Sequence, residues 1–330
     1  MKPYVSVIMP CRNEAAFVGR CLHSILAGDY PAGRMEVLVV DGMSGDGTRE
    51  LIARYAERDG RVRWIDNPRR ITPAALNRGI DAARGEVIVR VDARATLAPD
   101  YISRAVETLQ ASGAGNVGGA MQTVAQGTGI FAGPIVAAIT HPFGVGNSHF
   151  RTGVTAPRWV DTVFGGCWRR EVFDRIGRFN ERLERGQDLE FNLRLRKAGG
   201  KILLAPELAS CYHARATLGA FVRHNWTNGV WAVLPIAYSD VLPVRWRHLT
   251  PLALVVVIAC SPWAAAGYAA LNLAASVEAA WSRRRWTYLA LMPVAFASLH
   301  LAYGAGSLWG VLRLAAIAVT RVTHATGPQT

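Results

Sequence analysis

The segment Gly85–Thr96, GEVIVRVDARAT, decides the fold. Val87-Ile88-Val89-Arg90-Val91 is β-branched and almost wholly apolar, which is the composition of a buried strand. It runs directly into Asp92-Ala93-Arg94. A carboxylate at the C-terminal end of a parallel strand lies where open α/β sheets bind their ligands. An unpaired buried carboxylate is costly, so Asp92 calls for a partner. A divalent metal with a phosphate would supply one.

The preceding chain repeats this pattern. Val5–Met9 is expected as a first strand ending at Pro10-Cys11-Arg12-Asn13-Glu14. Apolar residues at helical spacing (Phe17, Val18, Cys21, Leu22, Ile25) then predict a helix over 15–26, with Asn13 as its cap. A second strand, Met35–Val40, stops at Asp41 and opens the loop DGMSGDGT, Asp41–Thr48. A helix follows over 49–59, then a short strand over 61–65. Thr72-Pro73 opens another helix through Ala83, with proline at its first position and Gly85 past its end. Strand–helix alternation with short connections predicts an α/β fold with a parallel sheet. Its C-terminal edge gathers Pro10–Glu14, Asp41–Thr48 and Asp92–Arg94, enough for a nucleotide-sized site. The glycine-rich loop matches neither GxxxxGK[ST] nor GxGxxG, which counts against P-loop ATPases and dinucleotide enzymes.

The 330 residues carry a net charge of +13 and are 51% hydrophobic, with the apolar excess concentrated at the C-terminus. From Leu249 to Leu312 the only charged residues are Glu278 and Arg283–Arg285. Leu249–Val277 is a 29-residue uncharged run with Pro262 and Gly267 near its middle, so it is either two shorter helices or one kinked span. Trp286–Leu312 is a second run, of 27 residues. Both exceed ordinary core helices and predict a membrane-embedded region of two or three helices. The arginines form no stripe with interleaved aromatics, so no nucleic acid is expected. The five cysteines are scattered without a CxxC pair, which gives no support to a zinc site or a disulfide framework. Met1–Tyr4 leads straight into a strand, without the h-region of a signal peptide.

VSVIMPCRNEAAFVGRCLHSIL, EVLVVDGMSGDGT and ITPAALNRGIDAARGEVIVRVDA resemble the N-terminal half of the family 2 inverting glycosyltransferases, which have the GT-A fold. WVDTVFGGCWRREVFDRIGRFNERL and RGQDLEFNLRLRKAGGKILLAPELASCYHARATL are similar to the branch involved in succinoglycan-type bacterial exopolysaccharide synthesis. The resemblance implies a GT-A-type mixed sheet flanked by helices, with a membrane-embedded helical region after it. It implies transfer of a sugar from a nucleotide-diphosphate sugar, a UDP-sugar by default, to a lipid-linked or polysaccharide acceptor. Mg²⁺ or Mn²⁺ would bridge the diphosphate.

By the same resemblance Asp92 matches the first acid of the family's DxD element, whereas Arg94 stands at its third position, where it would touch a phosphate, lie at the surface or pair with Asp92. His213, in CYHAR, resembles a late histidine that completes the metal site. Asp188 matches the general base; Gln187 replaces the family's glutamate before it and would orient the acceptor. Pro10, Arg12, Asn13, Glu14, Asp41, Ser44 and Asp46 match donor-binding loops, with Gly47 and Thr48 finishing the second. Asn77 and Arg78 match a segment near the phosphates. Gly165 and Gly166 match a glycine pair at the sugar pocket. Arg223–Trp231 lacks the RW pair of processive synthases, which favours single-sugar addition. Trp226 and Trp231 would stack on sugars or lie at the bilayer surface.

The expected division is a catalytic domain over 1–230, an interfacial linker over 231–248, transmembrane helices over 249–321 and a tail over 322–330. The catalytic domain is expected on the cytoplasmic side of a bacterial cytoplasmic membrane. Two alternatives stay open: a nucleotidyltransferase, which would use Asp92 without Asp188, and a catalytically degenerate scaffold, suggested by Arg94 and Gln187.

Overall fold

The computed structural model describes residues 1–214, 217–242 and 244–325. The chain forms two compact units, Met1–Thr123 with His149–His213, and Val124–Ser148 with Ala214–Thr330. Residues 124–148 and 217–230, within the span 1–230 expected as catalytic domain, fall in the second unit. Of the expected tail, 322–325 continue the last helix; residues 326–330 lie outside the described residues.

The first unit is built on a mixed sheet. Its strands are β1 (Val5–Cys11), β2 (Met35–Asp41), β3 (Val62–Asp66), β4 (Val87–Arg90), β5 (Ala95–Leu97), β6 (Asn116–Ala125), β7 (Arg158–Trp159), β8 (Phe164–Arg169) and β9 (Ile202–Ala214). Their order is β3-β2-β1-β4-β8-β6-β9-β5, with β7 beside β9. β3, β2, β1 and β4 run parallel, and β8 pairs antiparallel with β4. β1, β2 and β4 carry mainly apolar, buried runs because helices cover both faces, whereas β3 at the edge mixes buried, half-buried and exposed residues. Side chains alternate between two cores. Val5, Val7, Met9, Val37, Val39, Val87 and Val89 face one, with Leu22 and Ile25 of the helix Val18–Leu26. Ile8, Leu38, Val40 and Ile88 face the other, with Leu76 and Ile80 of the helix Thr72–Ala82 and Phe191 and Leu195 of the helix Gln187–Lys197.

That alternation has a consequence at the end of β4. Arg90 falls on the same face as Ile88, toward the layer that contains the helix Gln187–Lys197. At the opposite edge of the sheet, buried Glu36 ties β1, β2 and the approach to β4 together. It accepts from Ser6 Oγ at 2.7 Å, Arg84 N at 2.7 Å and Arg63 Nη1 at 2.8 Å. Burial pushes this carboxyl upward, but these donors outweigh it and hold it below the usual range.

The second unit is helical. The long uncharged run is two helices, Trp246–Cys260 and Pro262–Ser282, broken at Ser261, where Pro262 lacks the N–H to continue the ladder. The third is Tyr288–Ala325. Only Tyr288–Thr320, among the described residues, is long and apolar enough to cross a membrane. The 15 residues of Trp246–Cys260 rise about 22 Å, short of a hydrocarbon core. Polar side chains knit the helices: Asn272 Nδ2 donates to Pro293 O at 3.0 Å, and Tyr268 Oη lies 3.0 Å from His300 Nδ1.

Candidate active site

Three loops meet at the C-terminal edge of the parallel strands, as the sequence spacing requires. The first two are laced together. Asp41, at the end of β2, is fully buried, and its carboxylate accepts from Ser44 N at 3.0 Å, Ser44 Oγ and Arg49 Nη1 at 3.0 Å. Ser44 Oγ in turn accepts from Asn13 N at 2.8 Å, and Asn13 Oδ1 accepts from Gly45 N at 3.0 Å. Glu14 N donates to Thr48 Oγ1 at 2.8 Å, and Ala15 N to Asp46 Oδ2 at 3.2 Å. Asp41, Ser44, Asp46 and Thr48 therefore shape the rim. Asn13 does not cap the helix, which starts at Val18 without a side-chain cap. It sits instead in the left-handed region at φ 53°, a conformation asparagine tolerates better than most residues. Pro10 pairs in register with Val40 inside the sheet. Arg12 is exposed and reaches Arg70 O at 3.3 Å.

The third loop provides the charged centre. The guanidinium of Arg90, 7% exposed, lies between two carboxylates. Its Nε donates to Asp92 Oδ1 at 2.9 Å, and its Nη1 donates to Asp188 Oδ1. Asp92 is 28% exposed and Asp188 41% exposed, so both open toward solvent from a buried cation. Asp188 lies in the first turn of the helix Gln187–Lys197, after Gly186 at φ 77°. Although part of the side chain is exposed, desolvation by the protein packed around it is the largest influence on its carboxyl; Arg90 pulls the other way and Asp92 adds to the rise. The carboxyl is left above the usual aspartate range. Arg90 is held more firmly charged than a free arginine, because the two carboxylates outweigh its desolvation. In the sequence Arg90 reads as one strand residue among others. The available signal was a charge inside an otherwise apolar strand, which must find partners.

Gly165 and Gly166 lie on β8, beside β4. Gly165 (φ 67°) and Gly166 (φ 133°) both adopt backbone that side chains rarely take. A Cβ at Gly165 would meet Arg90 O at 2.9 Å, and one at Gly166 would meet the Trp168 ring at 2.2 Å. The pair lets β8 pass close to the charged centre. Gln187 is buried beside Asp188.

Arg94 does not face open solvent at the third DxD position. Its Nε donates to Glu14 Oε1 at 2.8 Å, and its guanidinium covers the Phe17 ring at 4.7 Å. His213 N–H donates to Arg94 O at 3.1 Å, and its ring lies 5.7 Å from that of Phe17. Desolvation, then Arg20 and Arg94, lowers its pKa, which favours the neutral, ligating form. Among the described residues no three His, Cys, Asp or Glu side chains gather to hold a metal. Of the two expected ligands, Asp92 is partly exposed at the end of β4, and His213 is held beside Arg94 and Phe17.

Of the two residues expected near the phosphates, one is held by contacts within the protein. Asn77 is spent on the segment after β8: its Nδ2 donates to Phe179 O at 2.9 Å and Glu181 Oε1 at 2.7 Å, and its Oδ1 accepts from Phe179 N at 2.9 Å. Its neighbour Arg78 is exposed. Trp226 and Trp231 belong to the second unit, on the helix Leu218–Val233; Trp226 is exposed and Trp231 lies 6.3 Å from the Tyr238 ring.

Comparison with known proteins agrees with this architecture. Residues 6–177 match the family described as glycosyl transferase family 2. The chain is 33% identical over 325 residues to the succinoglycan biosynthesis protein ExoA of Rhizobium meliloti (strain 1021), covering 91% of this chain and 92% of that protein. It is 25% identical over 234 residues to a dolichyl N-acetyl-alpha-D-glucosaminyl phosphate 3-beta-D-2,3-diacetamido-2,3-dideoxy-beta-D-glucuronosyltransferase of Methanococcus voltae, covering 68% of this chain and 72% of that one. Its fold is similar to that of the mannosyltransferase PcManGT from Pyrobaculum calidifontis, solved with GDP-Man and Mn²⁺: TM-score 0.62 and 24% identity, covering 94% of this chain and 88% of that chain. With a GT-A sheet and matches over most of its length, the chain belongs to glycosyl transferase family 2.

Proposed function

We propose that this glycosyltransferase is a membrane-associated inverting enzyme, with Asp188 as general base and Asp92 at the metal and diphosphate site. The donor would be a nucleotide-diphosphate sugar, with uridine diphosphate as the default nucleotide. The acceptor would be a lipid-linked or growing exopolysaccharide. The observation that carries this reading is the Asp92–Arg90–Asp188 arrangement at the ligand-binding edge of the sheet. Arg90 bridges the two carboxylates, which would set the proposed base and the proposed phosphate-side acid about one guanidinium apart.

In the reaction, the acceptor hydroxyl oxygen bonds to the anomeric carbon on the face opposite the diphosphate. The bond from that carbon to the diphosphate oxygen breaks, and the electron pair leaves with the diphosphate. The hydroxyl proton passes to Asp188, whose raised basicity suits it to accept. Asp92, with His213, would hold Mg²⁺ or Mn²⁺, which when bound neutralises charge on the leaving diphosphate. The laced loops Pro10–Glu14 and Asp41–Thr48, with Arg12 at their rim, would frame the nucleotide. Gly165 and Gly166 would leave room for the sugar, and Gln187 would support acceptor placement.

The membrane assignment is supported by the apolar helix Tyr288–Thr320 and by the lipid-phosphate name of the Methanococcus relative. A nucleotide-sugar donor supplied from the cytosol would require the catalytic unit on the cytoplasmic face of a bacterial membrane.

The test is Asp188→Asn in detergent-solubilised protein, given a panel of nucleotide sugars, membrane lipid extract as acceptor, and Mg²⁺, Mn²⁺ or chelator. Transfer should fall about 10²–10⁴-fold with donor binding nearly unchanged. Normal turnover would remove Asp188 as the base. Equal donor affinity with and without metal would remove the metal role of Asp92.

A further inference from the structure

The turn between the last two helices holds a side chain in a backbone position that does not suit it. The helix Pro262–Ser282 ends at Arg283, and Arg284 takes φ 52°. Around it the chain closes as a Schellman motif: Arg285 N donates to Ala280 O at 2.9 Å and Arg284 N to Trp281 O at 3.0 Å. Glycine is the usual occupant there, because an L side chain in the left-handed region crowds the following carbonyl. Arg284 gives the helix end nothing in exchange. Its side chain and that of Arg285 are exposed, with no hydrogen bond or ion pair among the described residues. Arg283 is also exposed and donates to Thr140 Oγ1 at 2.9 Å.

The surroundings of these arginines are aromatic and lack free acids. Trp281 and Trp286 flank them, 71% and 61% exposed, with ring centroids 6.0 Å apart in an edge-to-face pair. From Ala214 to the C-terminus the sequence has nine arginines against two acids, Asp240 and Glu278. Glu278 is engaged with His141. The apolar helix starts immediately beyond the turn, at Tyr288. Its uncharged stretch runs to Leu312, about 38 Å along the axis, and closes with exposed Trp309 and then Arg313. Indoles and arginines thus bracket an apolar length sufficient for a hydrocarbon core of about 30 Å.

We infer that the turn Trp281–Trp286 is a binding surface for anionic phospholipid headgroups in the bilayer. Arg284 and Arg285 engage headgroup phosphates, for which the planar guanidinium has matching geometry. Trp281 and Trp286 seat the turn at the level where acyl chains meet headgroups. These side chains are all exposed, so a charged plane can meet them together. This inference rests on the proposed membrane association, with Tyr288–Thr320 as the crossing segment.

The experiment uses the full chain in neutral maltoside micelles. It is titrated with dioctanoyl phosphatidylglycerol and, in parallel, with dioctanoyl phosphatidylcholine and glycerol 3-phosphate. Binding is read from the thermal unfolding midpoint, which rises with any ligand that prefers the folded state. Phosphatidylglycerol should raise the midpoint, less so at high salt, while the other two leave it unchanged. Arg284→Gly should weaken phosphatidylglycerol binding about fivefold, and Arg284→Gly with Arg285→Gln about 25-fold. The lipid-free midpoint of Arg284→Gly should stay level or rise, since glycine suits that backbone; a general folding defect would lower it. An equal response to phosphatidylcholine or glycerol 3-phosphate, or undiminished binding in the double variant, would overturn the headgroup site. Extraction of the wild-type chain from membranes by alkaline carbonate would overturn the crossing helix instead, so the two failures read separately.

Discussion

Arg90 on β4 donates to Asp188, 98 residues further along the chain, and the same guanidinium holds Asp92 at 2.9 Å. One buried cation thus fixes the spacing between the carboxylate proposed to take the acceptor's proton and the one proposed to face the diphosphate. A guanidinium can serve two carboxylates from different nitrogens in a rigid plane, whereas an ammonium is a point charge on a flexible stem.

Arg90→Met removes that fork. Both carboxylates are partly exposed, so water can take over part of the lost solvation, and the stability loss should be about 1–3 kcal/mol. The base loses its orientation, and kcat should fall about 10²-fold. Arg90→Lys should recover more stability than activity. Thermal unfolding and steady-state kinetics on the same preparations check both halves; equal recovery of the two would make Arg90 a purely structural residue.

The pH dependence has a defined sign. Burial raises the Asp188 carboxyl, Arg90 opposes, Asp92 reinforces, and the net shift is upward. A base acts ionised, so kcat should fall as pH drops through a value above the ordinary aspartate pKa of about 3.9. Arg90→Met should move this acidic limb higher still, since the group that favours the carboxylate form is gone. A profile of kcat against pH at saturating donor tests this. A limb at or below the ordinary value would show that burial does not dominate at Asp188.

What could be read from the sequence follows from how local each signal is. β1, β2 and β4 were legible because residues covered on both faces must be continuously apolar. The edge that gathers Asp41, Asp92 and the Pro10–Glu14 loop followed from strand direction alone. The through-space pairings were not legible. Arg90 finds Asp188 across 98 residues and Asn77 finds Phe179 across 102, and nothing in the neighbouring residues specifies either partner. Asn13 shows the limit at short range. Its type suits a helix cap, yet its side chain serves the neighbouring loop, because Gly45 N–H is closer to hand than a helix that begins only at Val18.

Asn77 separates a structural role from a ligand-binding one. Its amide makes three hydrogen bonds to Phe179 and Glu181, in a largely buried setting. Asn77→Ala leaves two backbone groups of Phe179 without these partners, which should cost about 2–3 kcal/mol. Donor KM should change by no more than about twofold at temperatures where the variant is folded, since the amide has no capacity directed at a phosphate. A large KM effect with unchanged stability would restore the phosphate role.

The pair Arg94–Glu14 offers the sharpest test of the altered DxD position. Both side chains are mostly buried, 18% and 17% exposed, and the pair bridges the end of β4 to the loop after β1. Glu14 N–H is in turn tied to Thr48, so loosening the pair should loosen the nucleotide-framing rim. Arg94→Ala and Glu14→Gln should each raise donor KM, with kcat close to wild type. A phosphate contact predicts something different: Arg94→Ala would weaken a nucleoside diphosphate far more than the nucleoside monophosphate, and Glu14→Gln would not reproduce it. In the double-mutant cycle on donor affinity, a coupling of about 1–2 kcal/mol is expected, the range for a charge-assisted bond with little solvent screening. Additive effects, together with selective loss of diphosphate affinity in Arg94→Ala alone, would assign Arg94 to the diphosphate and leave Glu14 as its counter-ion only in the ligand-free protein.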